Sequence, residues 1–268
     1  MATERGRSFW QRLFTRREEK VEALRAEVDR FARFESVRDA ADPAAAREVR
    51  KSTGAFIQGA IKEKRFETAA FTLAAKGKPE DAEQLGDQAM KQGKYGQAIQ
   101  IFSRTGNPAK LALANEMAAR DCLKRGGSRK TASARIYAAI QAYGRLLASQ
   151  RTERVPIMKK LSVLCDDLLG LLEGTDDHLA AADTALYQAQ LCMHLAAFST
   201  AQDVFVADPE VFHGAKKKAL DRAARAREGY RRHVEANALN PDTPEGKRIV
   251  EKIKSVRIVI ERCSALPE

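Results

Sequence analysis

The side chains able to do chemistry are few, and their spacing does not assemble a reaction centre. His178, His194, His213 and His233 include no HExxH motif and no pair at i,i+4, the spacing that sets two imidazoles on one helical face for a metal. Cys192 and His194 stand two apart and point to different faces of a helix. Cys122, Cys165, Cys192 and Cys263 are widely separated and form no CxxC pair, so neither a zinc site nor a disulfide framework is signalled; reduced thiols are expected. Asp166-Asp167 and Asp176-Asp177 offer paired carboxylates, the material of general acid–base catalysis. Each pair is adjacent in sequence, however, and Asp176-Asp177 falls where a helix start favours negative charge, so capping and solvation are the expected roles. Gly126-Gly127-Ser128-Arg129-Lys130-Thr131 has glycines, a Lys and a Thr, but it lacks the GxxxxGK[ST] spacing and no strand precedes it. It reads as a turn between helices. No catalytic residue, metal, cofactor or small-molecule substrate is expected.

Charge is the stronger signal. The formal charge of +11 and a pI near 9.6 favour anionic partners: an acidic protein surface or peptide, nucleic acid or anionic lipid. Lys124, Arg125, Arg129 and Lys130 surround the glycine turn and form a compact basic loop able to meet a phosphate or carboxylate. Between residues 216 and 232 lie eight cationic and two anionic side chains. On a helix Lys218, Arg222, Arg225 and Arg232 share one face, suited to tracking phosphates or covering an acidic partner. The alternative is a solvated face beside a core stripe of Ala219, Leu220, Ala223 and Ala226. No RNA-recognition motif, zinc finger or aromatic stacking platform accompanies the charge. In Ser8 to Arg17, Phe9, Trp10, Leu13 and Phe14 interleave with Arg7, Arg12, Arg16 and Arg17. That is an amphipathic pattern for an anionic membrane or a partner's groove, or for a helix folded back on its own chain.

The elements that must carry these residues are helices. The 44% hydrophobic fraction is dominated by Ala and Leu, Gly and Pro are sparse, and 31% of residues are charged. No series of β-branched and aromatic runs with regular turns predicts a sandwich or barrel. No segment reaches about 18 uninterrupted apolar residues, and the N-terminus lacks a signal-peptide pattern. The Arg-rich start carries Glu4, Glu18 and Glu19, which transit peptides avoid, so a cytoplasmic location is expected.

Along the chain, residues 7 to 34 read as one basic amphipathic helix, and Asp42 with Pro43 reads as a cap and a first helical residue. The expected organisation is a helix-bearing segment 1–42 followed by a helical array 43–268. From 64 to 125 the sequence resembles itself at an offset of 29: Phe66 with Tyr95, Ala69 with Ala98, Leu73 with Phe102, Gly77 with Gly106, Pro79 with Pro108, Ala89 with Ala118. The aromatic, the small Ala and the bulky apolar residue share one helical face; Gly then ends the helix and Pro starts the next. Similar face spacings recur at Ile136, Ala139 and Tyr143 and at Phe198, Ala201 and Phe205. Longer helices are expected at 130–150, 153–173, 177–206, 209–237 and 244–263, with Asp176, Asp208 and Thr243 as N-caps. The last is rich in β-branched residues, for which a strand is the alternative; Arg257, Glu261 and Arg262 break the alternation a strand would need, so a capping helix is expected.

The order Ala82, Leu85, Gly86, Ala89, Gly93, Tyr95, Ala98, Phe102 and Pro108 resembles the tetratricopeptide repeat. It departs from that family in a spacing of 29 rather than 34 and in having no Trp to open the first helix. The shorter unit is also similar to the hairpin solenoids of vesicle coat and intraflagellar transport proteins. The resemblance implies an all-α, right-handed stack of antiparallel helical hairpins and a protein partner bound on its flank. One subset of the family grips a C-terminal carboxylate with Lys and Asn; the corresponding positions here are Glu83 and Asp87, whose charge has the wrong sign. A non-enzymatic scaffold or adaptor is therefore the expected function. A nucleic-acid-associated repeat protein is the alternative, and peripheral membrane binding through residues 8–17 a third reading.

Overall fold

The computed structural model describes residues 54–75, 78–149, 154–201 and 209–266, and every regular element among them is an α-helix. In chain order these are α1 (54–62), α2 (Phe66–Ala75), α3 (Pro79–Lys91), α4 (Tyr95–Thr105), α5 (Pro108–Lys124), α6 (Arg129–Ser149), α7 (Arg154–Leu172), α8 (His178–Ala201), α9 (Pro209–Ala236) and α10 (Pro244–Ser264). They belong to two compact units, one ending at Lys124 and one beginning at Arg125. The expected helix at 7–34 and the boundary near 42 lie outside the described residues.

The 29-residue recurrence in the first unit extends to single hydrogen bonds. After α1, Arg65 N donates to Ala60 O (2.8 Å) and Lys64 N to Ile61 O (2.9 Å); after α3, Lys94 N donates to Ala89 O (2.8 Å) and Gly93 N to Met90 O (3.0 Å). At the opposite end of the hairpins, Lys78 N donates to Leu73 O (3.0 Å) and Asn107 N to Phe102 O (3.2 Å). The recurrence thus begins within α1, earlier than the residue pattern indicated. Both Pro79 and Pro108 open their helices, where a missing N–H costs nothing. Gly106 ends α4 in the left-handed region (φ 75°).

Gly93 adopts φ 69°, and its counterpart one repeat earlier, Lys64, adopts φ 57°. A side chain in this region crowds its own backbone by about 1–2 kcal/mol. Lys64→Gly is expected to stabilise the first unit by roughly 0.5–1 kcal/mol, the relief being partly offset by the freer unfolded chain. A thermal melt followed by circular dichroism checks this, and Gly93→Lys should move the midpoint the other way.

The core of this unit follows from the same spacing. Phe66, Ala69, Leu85, Ala98 and Phe102 are buried in one cluster, with Leu73 packed against it; Tyr95 is half-buried. Gly86 is there because Phe102 needs its space: a Cβ would stand 2.5 Å from one ring carbon and 2.7 Å from the next. The ring is 1% exposed and has nowhere to turn. Gly86→Ala should therefore destabilise the first unit by about 1–3 kcal/mol, with Phe102→Leu in the same chain recovering part of the loss; denaturant midpoints of the four variants read the coupling. In this unit α2 packs on α3, α3 on α4 and α4 on α5, and α2 also packs on α4. There Gln97 accepts from Glu67 N (3.3 Å) and donates to Lys64 O (3.1 Å), tying the start of one second helix to the other.

The second unit is built around α8, most of whose described length is buried because α7, α9 and α10 each pack on it. Ala182, Ala185 and Ala189 of α8 and Ala219, Ala223 and Ala226 of α9 are almost fully buried in a shared cluster. Small side chains let the two backbones approach: a Cβ on Gly229 would lie 2.9 Å from that of Ala182. Ile136 and Ala139 are buried in α6 and Tyr143 is half-buried, as their spacing predicts, whereas Phe198, Ala201 and Phe205 lie outside the described side chains. The C-terminal segment is helical, not a strand, and Thr243 caps it by accepting from Gly246 N (3.1 Å). One cap is corrected: Asp177, not Asp176, accepts from Ala180 N (3.1 Å) at the start of α8.

Candidate functional site

The basic helix α9 presents two faces with different fates. Its Lys218, Arg222 and Arg225 turn toward α7, where acidic side chains receive them. Asp166 accepts from Lys218 Nζ (2.5 Å), from Arg222 (2.9 Å) and from Gln188 Nε2 (2.8 Å), and Glu173 accepts from Arg225 (3.2 Å). Arg232 pairs with Glu228 on its own helix (2.9 Å). All four cations of the expected anion-binding face therefore hold carboxylates of this chain. Solvation is not the role of Asp166, as its adjacency to Asp167 implied; it is the acceptor that fastens α9 to α7. Ala219, Ala223 and Ala226 do form the core stripe, with Leu220 partly buried against the same cluster.

Burial raises the Asp166 carboxyl, but hydrogen bonds from Lys218 and Gln188 and the charges of Lys218 and Arg222 outweigh it and hold the group below the ordinary carboxylate range. A depressed carboxyl stabilises the fold above its unfolded pKa, and that contribution is lost as pH falls through the folded value. Asp166→Asn should cost about 1 kcal/mol at neutral pH, the site being half open to solvent, and the two proteins should converge in stability as falling pH protonates the depressed carboxyl. Acid-dependent chemical denaturation checks this.

The thiols beside this cluster are not set up as nucleophiles. Burial first, and neighbouring Asp166 and Cys192 next, push the Cys165 thiol far above its usual range; burial also raises Cys192, whose sulfur lies 3.7 Å from Ser162 Oγ, and Cys263. Among the described residues no group of His, Cys, Asp and Glu can hold a metal ion, and no helix is long and apolar enough to cross a membrane.

The other face of α9 borders α10, and residues of both helices line a groove of about 730 Å³. Ala224, Val234, Ile253 and Ile260 give it an apolar lining; Arg227, Glu228, Arg231 and Glu235 line its α9 side. Arg231 is held by Glu228 and Glu235 (2.9 and 3.4 Å). The hydrogen bonds of Arg231 and Arg232 pull the half-exposed Glu228 carboxyl down to about 2. Sequence reasoning missed this groove, although α10 carries apolar residues beyond the stripe of Ile249, Val256 and Val259 that one core contact needs.

In the first unit, Glu83 and Asp87 are not open positions. Lys110 reaches Asp87 (2.8 Å) and Glu83 (3.3 Å), and Asn107, which caps α5 by accepting from Lys110 N (3.1 Å), donates to Glu83 (3.0 Å). The acids join α3 to α5, which accounts for their sign where the peptide-clamping subset of the resembled family carries Lys and Asn. In the glycine turn, Gly126 adopts φ 69° and Arg129 donates to Gly170 O (2.6 Å). Lys124 closes the first unit while Arg125, Arg129 and Lys130 open the second, all four exposed. Phe9, Trp10, Arg12, Leu13, Phe14, Arg16 and Arg17 lie outside the described residues. No protein-family model matches this sequence, and no curated protein matches it.

Proposed function

We propose that this chain is a non-catalytic helical-repeat protein of tetratricopeptide-like type, a right-handed stack of antiparallel hairpins that serves in the cytoplasm as a scaffold or adaptor for a protein partner. The observation that carries the reading is the recurrence, 29 residues apart, of whole turns with the same hydrogen bonds, from Ala60 and Arg65 to Ala89 and Lys94. A hairpin of this size cannot bury its apolar side alone; stacking supplies the burial and leaves a long flank for binding. The reading is further supported by the cations of α9, whose carboxylate partners within the chain leave less charge for a phosphate backbone.

The test is salt. Tagged full-length chain should retain a protein partner after nuclease treatment, with affinity changing by less than about threefold between 50 and 200 mM salt. A protein neutralising several phosphates would lose affinity by orders of magnitude over that range. Retention of nucleic acid alone, with a steep log-linear salt response, would replace the adaptor reading with the nucleic-acid one. The same capture without residues 1–34 reports whether the Trp-bearing segment is needed.

A further inference from the structure

We infer that the end of the second unit where α7 begins and α8 and α10 finish is a binding site for a phosphate-type tetrahedral dianion, held by Arg154, His194 and Arg262. The inference is independent of the adaptor reading, which needs no small anion.

The path of the chain brings the three together. Ser162 Oγ lies 3.7 Å from Cys192 Sγ, and one turn later in α7 Asp166 accepts from Gln188 (2.8 Å), one turn earlier in α8, so the two helices run antiparallel. α8 and α10 run parallel. Asp183 accepts from Lys252, and further along both helices the buried Cys192 is near enough to help raise the Cys263 thiol. Arg154 opens α7, His194 follows Cys192 by two residues, and Arg262 directly precedes Cys263. All three therefore gather around the end of α8, and all three are exposed.

Their charge meets no acid. None of the three has a carboxylate three or four residues away on its own helix, where an ion pair could form locally. Nor does any of them form an ion pair across helices among the described residues; Glu261, next to Arg262 in sequence, is taken by Arg257 (2.7 Å). This separates the cluster from Lys218, Arg222, Arg225 and Arg232, whose carboxylates are in place. Partial burial of the ring, then the charges of Arg154 and Arg262, hold the His194 imidazole below its ordinary range, so the field of both arginines reaches it. Cations gathered without an acid repel one another, and a bound anion relieves that repulsion. Two guanidinium forks offer paired N–H donors that match the oxygens of a phosphate, and the imidazole supplies a third donor.

The probe is inorganic phosphate, added to the full-length chain at constant ionic strength in exchange for chloride, with the histidine Cε1–H resonances followed by NMR. His194→Gln assigns the resonance. Phosphate should move it saturably, with a Kd of about 1 mM or tighter, and raise the pH at which it titrates, because an anion beside the ring favours the imidazolium. Arg154→Ala and Arg262→Ala should each weaken binding about tenfold, and the double variant should abolish it. Both positions are exposed, and unchanged thermal melts separate loss of binding from loss of fold. Arg227→Ala removes an equal charge from an exposed position on α9 and should leave binding within about twofold. A second arm uses N-acetyl-phosphoserine amide. Binding of this ester assigns the anion to a phosphorylated side chain, whereas binding of phosphate alone assigns it to the free ion. No saturable response to either probe, a response that survives in the double variant, or an equal loss from Arg227→Ala would overturn the inference.

Discussion

Asp183→Ala is expected to destabilise the second unit by about 3 kcal/mol, because a single carboxylate on α8 holds both neighbouring helices. Tyr230 of α9 is 0% exposed and donates its hydroxyl to Asp183 (2.7 Å), while Lys252 of α10 donates to both oxygens of the same carboxylate. Lys252 also stands over the Tyr230 ring, 5.7 Å from its centre. Burial, then the charge of Asp183 and its hydrogen bond, push the phenol far above its usual range, so the hydroxyl remains a donor throughout the accessible pH range. Removing the carboxylate strands a buried donor and leaves a half-buried ammonium without its counter-charge. Tyr230→Phe should be much milder, near 1 kcal/mol, since it removes the donor along with the need for an acceptor. Urea denaturation of the two variants, singly and together, measures the coupling. Equal and small effects from both would show that packing alone joins these helices.

Gly246→Ala is expected to cost about as much, by a different route. A Cβ at this position would lie 2.1 Å from Asn240 O and 2.8 Å from Pro241 Cα, both backbone atoms of the turn that leads into α10. That turn cannot swing away: Asn240 O accepts from both Thr243 N (3.1 Å) and Thr243 Oγ1 (2.7 Å), and Thr243 caps the helix. The expected loss is about 3 kcal/mol or slightly more, a fall of about 6–12 °C in the melting temperature of the second unit. Gly170→Ala is the control. This glycine lies on the exposed side of α7, and a Cβ would meet nothing within 4 Å, so Ala should stabilise by roughly 0.5–1 kcal/mol through helix propensity. Opposite signs from one chemical change would separate steric need from helix preference. If Gly246→Ala melts with the parent, the close packing of the α10 start is not required.

Much of the local architecture was readable from residue order. Pro79, Pro108 and Gly106 mark helix limits because their effects act within a few residues, and Thr243 announces a cap because its hydroxyl reaches the amide three positions on. The Phe66 and Tyr95 series placed two hairpins because a face of a helix repeats within two turns. The start of the recurrence in α1 was missed because Lys64 stands where its counterpart is Gly93; a lysine in the left-handed region gives no turn signal. Asp177 was missed as a cap because two adjacent aspartates offer the same chemistry and only the path of the chain chooses between them.

The sequence by itself determined that the chain forms helices, where most of them turn, and that α9 is strongly basic. Only the tertiary structure decided what that charge does. Asp166 precedes Lys218 by 52 residues, and no periodicity joins them. They meet because alanine stripes bring α9 onto α8 and set its crossing beside α7, and an ion pair exists only where packing puts two charges within a few ångströms. The same packing left a groove between α9 and α10 with Ala224 and Ile253 in its lining. A cleft belongs to the distance between two helices, which neither helix encodes alone.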